Sequence, residues 1–228
     1  MSTQSKNRNR TSGMAALAGL ALATTGAHAA IVGQGGNVGG PWYGPPASLR
    51  LNKQEHNKDT QVWVEQQNMV LPSNVWYNAH NPGTYQQVSS LVHQTIPGAG
   101  TSLVNSYIFH FDPTSGFPTK ESKGYVDFNH EFYVITKNGD IDSSDIPFGM
   151  PGTQYATGLL ADRGYDLAAK DAFWISQPSA GVWRLDFQAF ASTGMDELRV
   201  IEIVGSVPTP GSLALLGGAG LAACRRRR

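Results

Sequence analysis

Val182-Trp183-Arg184-Leu185-Asp186-Phe187-Gln188-Ala189 is the run that decides the fold. Trp183, Leu185, Phe187 and Ala189 alternate with Arg184, Asp186 and Gln188, so an extended chain of this sequence has one apolar and one polar face. A helix would scatter the same residues around its circumference. A strand of this kind needs a core on one side and water on the other, which is the condition of antiparallel sheets packed in layers. Outward from it the pattern recurs. Tyr107, Phe109 and Phe111 oppose Ile108, His110 and Asp112. Alternating or β-rich runs broken by Asn, Gly and Pro predict strands over 48–53, 60–66, 87–94, 102–111, 124–136, 171–175, 182–190 and 198–204. Helix formers gather only at 167–172, and the preceding Gly164 limits that stretch to a turn or two. No repeat of 20 to 50 residues suggests a propeller or solenoid. The expected fold is all-β, an antiparallel two-sheet β-sandwich of jelly-roll type, with an immunoglobulin-like sandwich as the alternative.

The two ends differ from this body. Lys6, Arg8 and Arg10 precede an apolar segment, and Ala27 and Ala29 place small residues where signal peptidase reads them, so 1–29 is expected to be a secretory signal cleaved after Ala29. Residues 30–46, rich in glycine and proline, are expected to be a linker whose Trp42 and Tyr43 tuck against the domain. The domain itself is expected over 47–204 and a C-terminal tail over 205–228. Removing both ends changes the charge. Three of the 17 Lys and Arg lie before residue 30 and four close the chain, leaving ten against 17 Asp and Glu, a net charge of −7. A body of that charge repels phosphate backbones, which argues against a nucleic-acid partner. The one cysteine, Cys224, is in the tail, so the body has no disulfide and must be stabilised by burial.

The tail reads Val207-Pro208-Thr209-Pro210-Gly211, then a short apolar run to Cys224, then Arg225, Arg226, Arg227 and Arg228. An apolar segment ending in cations suits transient inner-membrane insertion, with the arginines held in the cytoplasm, and it is shorter than the roughly 20 residues of a robust anchor. This layout resembles the PEP-CTERM sorting tail of exported bacterial proteins, with Thr209 where that family usually has Glu. The resemblance implies processing by an exosortase-type membrane enzyme and delivery to the cell surface or extracellular matrix. The body, through Val104-Asn105-Ser106-Tyr107, His110-Phe111-Asp112-Pro113, Asp142-Ser143-Ser144-Asp145 and Pro151-Gly152-Thr153-Gln154-Tyr155, is similar to uncharacterised regions of such proteins. That second resemblance implies a β-sandwich and no activity.

The sequence carries none of the common hydrolase or zinc-protease motifs. There is no Gly-x-Ser-x-Gly elbow, no Ser-x-x-Lys and no His-Glu-x-x-His. His110 and Asp112 share a strand face, for which a wetted sheet surface is the simplest account. Two binding candidates remain. Asp140, Asp142 and Asp145 in Asn138-Gly139-Asp140-Ile141-Asp142-Ser143-Ser144-Asp145 supply clustered oxygens on a Gly-containing turn, as calcium requires, without the spacing of an EF-hand. The acidic loop Asp162-Arg163-Gly164-Tyr165-Asp166 would contribute only if the fold brings the two together. Trp76 and Tyr77, in Asn74-Val75-Trp76-Tyr77-Asn78-Ala79-His80-Asn81, combine ring faces with amides as sugar recognition does, although packing is the usual role of such rings. The expectation is therefore an exported, non-catalytic surface or matrix protein, without an obligatory cofactor, with extracellular polysaccharide or calcium as candidate ligands. An extracellular carbohydrate-active enzyme and a purely structural matrix protein are the alternatives.

Overall fold

A computed structural model describes residues 31–114, 119–157, 163–167, 170–192 and 194–207. The strands in chain order are β1 (Ile31–Gly36), β2 (Val38–Tyr43), β3 (Ser48–Leu49), β4 (Thr60–Val70), β5 (Trp76–Tyr77), β6 (Gly83–Tyr85), β7 (Gln94–Thr95), β8 (Ser102–Phe111), β9 (Lys120–Phe128), β10 (Phe132–Ile135), β11 (Gln154–Tyr155), β12 (Ala172–Ser179), β13 (Val182–Ala191) and β14 (Asp196–Ser206). Helix α1 (Asn138–Phe148) lies between β10 and β11. The first sheet has the order β1-β9-β13-β12-β6 and the second β10-β14-β8-β4-β2. The all-β sandwich is thus the observed architecture, and these two orders supply the connectivity that alternation leaves open.

The core between the sheets follows the period-two pattern. Leu185, Phe187 and Ala189 of β13, Phe173 and Ile175 of β12, and Val126 and Phe128 of β9 meet Val62 and Val64 of β4, Tyr107, Phe109 and Phe111 of β8, and Leu198 and Val200 of β14. Phe109 packs edge-on against Phe187 with ring centroids 5.8 Å apart, and Tyr107 against Phe128 at 5.2 Å. On the other side of the first sheet, Arg184, Asp186 and Gln188 reach solvent.

The outer face of the second sheet corrects the wetted-face reading of His110 and Asp112. Both residues are fully buried, because α1 and the segments carrying β3, β5 and β11 cover that face. A second apolar layer forms there from Trp63, Ile108, Tyr133, Ile135 and Ile201 of the sheet with Ile141 and Phe148 of the helix. Sheets covered on both faces carry apolar residues at both parities, and Ile108 among the supposedly polar positions of β8 is the sign of it.

Three further expectations change. Residues 31–43 are not a linker, because β1 pairs antiparallel with β9 in the first sheet and β2 parallel with β4 in the second. One continuous segment thus changes sheets at Asn37, whose N–H donates to Lys123 O at 2.8 Å and whose carbonyl accepts from Thr60 N at 3.0 Å. Glycine is needed at the crossing: Gly36 has φ +77°, and a Cβ there would stand 2.5 Å from Lys123 O. Trp42 and Tyr43 project instead of tucking in, at 54% and 72% exposure. The helix forms at Asn138–Phe148, and the described residues of 167–172 are not helical. Residues 87–94 form no strand before β7 begins at Gln94, and Val88–Ser90 make a 3₁₀ turn. The signal segment with Ala27 and Ala29, and the tail from Pro208 through Thr209, Pro210 and Gly211 to Arg225, Arg226, Arg227 and Arg228, lie outside the described residues. Val207 is held at the end of β14 by a hydrogen bond from its N–H to Thr101 O of 2.8 Å.

Candidate functional site

Trp76 stands at one wall of a groove of about 340 Å³ between the Ser73–Trp76 segment and the last turns of α1. The groove is lined by Ser73, Asn74, Val75 and Trp76 on one side and by Ser143, Ser144, Ile146 and Pro147 on the other. Its volume is at the lower end of ligand-sized clefts, roughly 300–1,000 Å³. Trp76 is 38% exposed and Ile146 93% exposed, so apolar surface faces water beside hydroxyl and amide groups. The indole is held from behind. His93 stacks on it with centroids 4.0 Å apart and planes 5° from parallel, and His93 Nδ1 lies 3.1 Å from Asp140 Oδ2. Strand pairing of β5 with β7 sets Trp76 opposite Thr95 and Tyr77 opposite Gln94.

The opposite wall is a helix that propensity opposes, since α1 contains Gly139, Ser143, Ser144 and Pro147. Tertiary contacts hold it. Asn78 Oδ1 accepts from Thr136 N at 2.8 Å and Lys137 N at 2.9 Å, and Asn78 Nδ2 donates to Asp140 Oδ2 at 2.6 Å. Asp140 lies in the first turn, where a carboxylate complements the helix dipole. Ile141, Ser144 and Phe148 form the buried face at spacings of three and four.

Beneath that face lies a network of buried charge. Arg199, fully buried, donates from Nε to Glu65 Oε2 at 2.7 Å and from Nη2 to Glu65 Oε1 at 2.8 Å and Asp145 Oδ1 at 2.9 Å, while Nη1 reaches Ser144 Oγ. Arg163 donates from Nε to Glu197 Oε2 at 2.5 Å and from Nη1 to Asp142 Oδ1 at 2.9 Å and Asp145 Oδ2 at 2.6 Å. Tyr155 donates to Glu65 Oε1 at 2.6 Å, and both guanidinium carbons lie within 5.7 Å of its ring centroid. His110 Nδ1 donates to Glu197 Oε1 at 2.7 Å, with Nε2 3.9 Å from Asp112 Oδ2. Burial alone would raise Glu197, but the charge of Arg163 and the hydrogen bond and charge of His110 outweigh it, so its carboxyl is held below the usual range. Asp112 moves the other way, pushed up by burial against the pull of His110.

The aspartates expected to offer oxygens to calcium lie in and beside this network. Asp140, Asp142 and Asp145 sit on a helix and not on a loop, and their oxygens are engaged by His93 and Asn78, by Arg163, and by Arg163 and Arg199 respectively. The two acidic stretches do converge. What joins them is the guanidinium of Arg163, which a cation would have to displace. Among the described residues, no group of three or more His, Cys, Asp and Glu is arranged to hold a metal ion.

Tyr77 does not line the groove. It points away from the groove, its ring edge-on to Tyr133 at 4.8 Å and its hydroxyl donating to Gln94 Oε1 at 2.7 Å. Of the sequence-derived pair, Trp76 alone lines the groove. The sequence does not single out Ser143, Ile146 and Pro147 as groove residues, because their segment reads as a turn, nor Glu65, Glu197 and Arg199, because charges in strands read as solvent-facing. No family model matches this chain, and no curated protein or solved structure is significantly similar to it.

Proposed function

We propose that this is an exported, non-catalytic β-sandwich protein of the cell surface or extracellular matrix that binds a neutral polysaccharide in the Trp76 groove. The observation that carries the reading is the combination of a half-exposed, rigidly backed indole with the uncharged hydroxyl and amide groups of Ser73, Asn74 and Ser143 around one groove. A pyranose has a C–H face and an equatorial belt of hydroxyls, and it needs those two kinds of surface at right angles. His93 and Asp140 prevent the indole from turning, so little rotamer entropy remains to be lost on binding. The buried charge network serves this site by fixing α1, the wall that propensity alone would not hold.

The test is a glycan array carrying neutral β-glucan, xylan and mannan hexasaccharides beside anionic oligosaccharides. The expected result is binding to a neutral glycan that Trp76→Ala weakens roughly tenfold, the scale of one aromatic stack. Preference for anionic glycans, or affinity unchanged in Trp76→Ala, would overturn the groove as the site. The export half of the proposal rests on Lys6 to Ala29 and on Val207 to Arg228. Mass spectrometry of surface-released protein should find a chain starting at Ala30 and lacking Arg225 to Arg228, whereas a mature form that retains those arginines would sink it.

A further inference from the structure

The outward face of the first sheet is largely polar, with Tyr125, Phe190 and Trp174 as its aromatic residues. Its strand, β12, buries Phe173 and Ile175 toward the core and turns Trp174 and Ser176 outward. Register places Trp174 between Thr84 of β6 and Asp186 of β13, and Asp186 in turn beside Tyr125 of β9. The two aromatic residues of this row are in different states. Tyr125 is covered, with the Arg184 guanidinium carbon 3.8 Å from its ring centroid and Arg184 itself locked to Asp127 by bonds of 2.6 and 2.9 Å. Trp174 has no such cover: among the described residues no ring or cation packs on its indole, and its N–H makes no hydrogen bond. It forms instead the wall of a cavity of about 230 Å³ with Lys123, Gly124, Asp186 and Phe187.

That arrangement repeats the logic of the Trp76 groove with different residues. A partly exposed indole supplies the flat apolar surface, and Asp186 and Lys123 supply an acceptor and a donor at its rim. One positive and one negative charge leave the cavity close to neutral, in a body of net charge −7, so a polyanion gains nothing there. A neutral sugar, whose hydroxyls both donate and accept, matches it. Position gives the pair its meaning. The groove lies against α1 on the outside of the second sheet, and Trp174 lies on the outside of the first, so the whole sandwich separates them. A short sugar bound at one cannot touch the other.

We propose that Trp174 marks a second neutral-glycan site, and that the domain is a rigid two-ended linker which bridges polysaccharide chains. The proposal rests on the reading of the Trp76 groove for its first end and on Trp174, Asp186 and Lys123 for its second. Two weak sites facing opposite ways hold separate chains together by avidity without either binding tightly.

Calorimetric titration of the secreted protein with the best-bound neutral hexasaccharide of the array tests it, alongside clumping of beads coated with that glycan. Two sites per molecule are expected, one in Trp76→Ala, one in Trp174→Ala and none in the double variant. Bead clumping should be lost in either single variant while single-site affinity persists. Trp174→Phe, which keeps a stacking face, should retain the second site, and Asp186→Ala should weaken it roughly tenfold. One site that vanishes in Trp76→Ala and ignores Trp174→Ala overturns the linker and leaves the groove. One site with the reverse response removes the groove and leaves Trp174. Absence of binding to every neutral glycan removes both ends.

Discussion

Arg199 and Glu65 face each other through two parallel hydrogen bonds with neither residue exposed, so what the pair does is set by desolvation as much as by attraction. Arg199→Met is expected to lower unfolding free energy by about 3–5 kcal/mol, because Glu65 keeps a buried charge without its counterion. Adding Glu65→Leu to that variant should recover most of the loss, since an apolar pair leaves no charge to solvate. Urea unfolding of the two variants checks both statements, and a loss below about 1 kcal/mol in Arg199→Met would mean that the pair behaves as a surface ion pair. Arg163 depends on its successor in the same way. A Cβ on Gly164 would run into Thr136 O, and Gly164 N–H donates to Asn138 Oδ1, so only glycine lets the chain come close enough to deliver that guanidinium beneath α1. None of these partners is neighbouring in sequence: Glu65 and Arg199 are 134 residues apart.

At the scale of elements, alternation was a reliable guide wherever one face is wet. The stretch 182–190 became β13 (Val182–Ala191), whose Arg184, Asp186 and Gln188 reach solvent. It failed where context outweighs pattern. The glycines of β1 read as linker because an isolated glycine-rich chain has no reason to extend. In the fold Gly33 and Gly35 lie where side chains would collide with Asp127 and Tyr125, so absence of a side chain is what admits the strand. The turn-like residues of α1 read as a loop for the reason that they are poor helix formers. They are helical because Asn78 satisfies the backbone N–H groups just before the first turn and because Ile141 and Phe148 find a buried surface on the outer sheet. The groove was therefore half legible. Trp76 stood out by its company of asparagines, while the helical wall opposite could not be seen from a segment that lacks helical periodicity.

For the molecule as a whole, the buried carboxyls predict how stability varies with pH. Asp171, buried near the Asp196 carboxyl, is pushed up to about 6 by burial, against the pull of the Phe190 and Asp166 N–H groups that it accepts at 2.7 Å each. A raised acid contributes stability that is complete below its ordinary value of 3.8 and is lost as pH rises through about 6. Asp112, raised by burial, acts in the same direction. Glu197 is lowered, so its contribution is present above its ordinary value of 4.5 and is lost as pH falls through its native one. Thermal unfolding across the range should show greatest stability in mildly acidic solution, with a decline toward neutrality that Asp171→Asn flattens. A melting temperature constant from about pH 4 to 7 would contradict it. The division between sequence and structure follows from the range of the forces involved. By itself the sequence determined the strands with a wet face, the layered β-sandwich they require, the acidic charge of the body and the prominence of Trp76, because each depends on a residue and its near neighbours along the chain. Only the tertiary structure decided which strands are covered on both faces, that Asp142 and Asp145 meet the guanidinium groups of Arg163 and Arg199, and that Trp76 and Trp174 look outward from opposite sheets, because those outcomes depend on contacts between residues far apart in the chain.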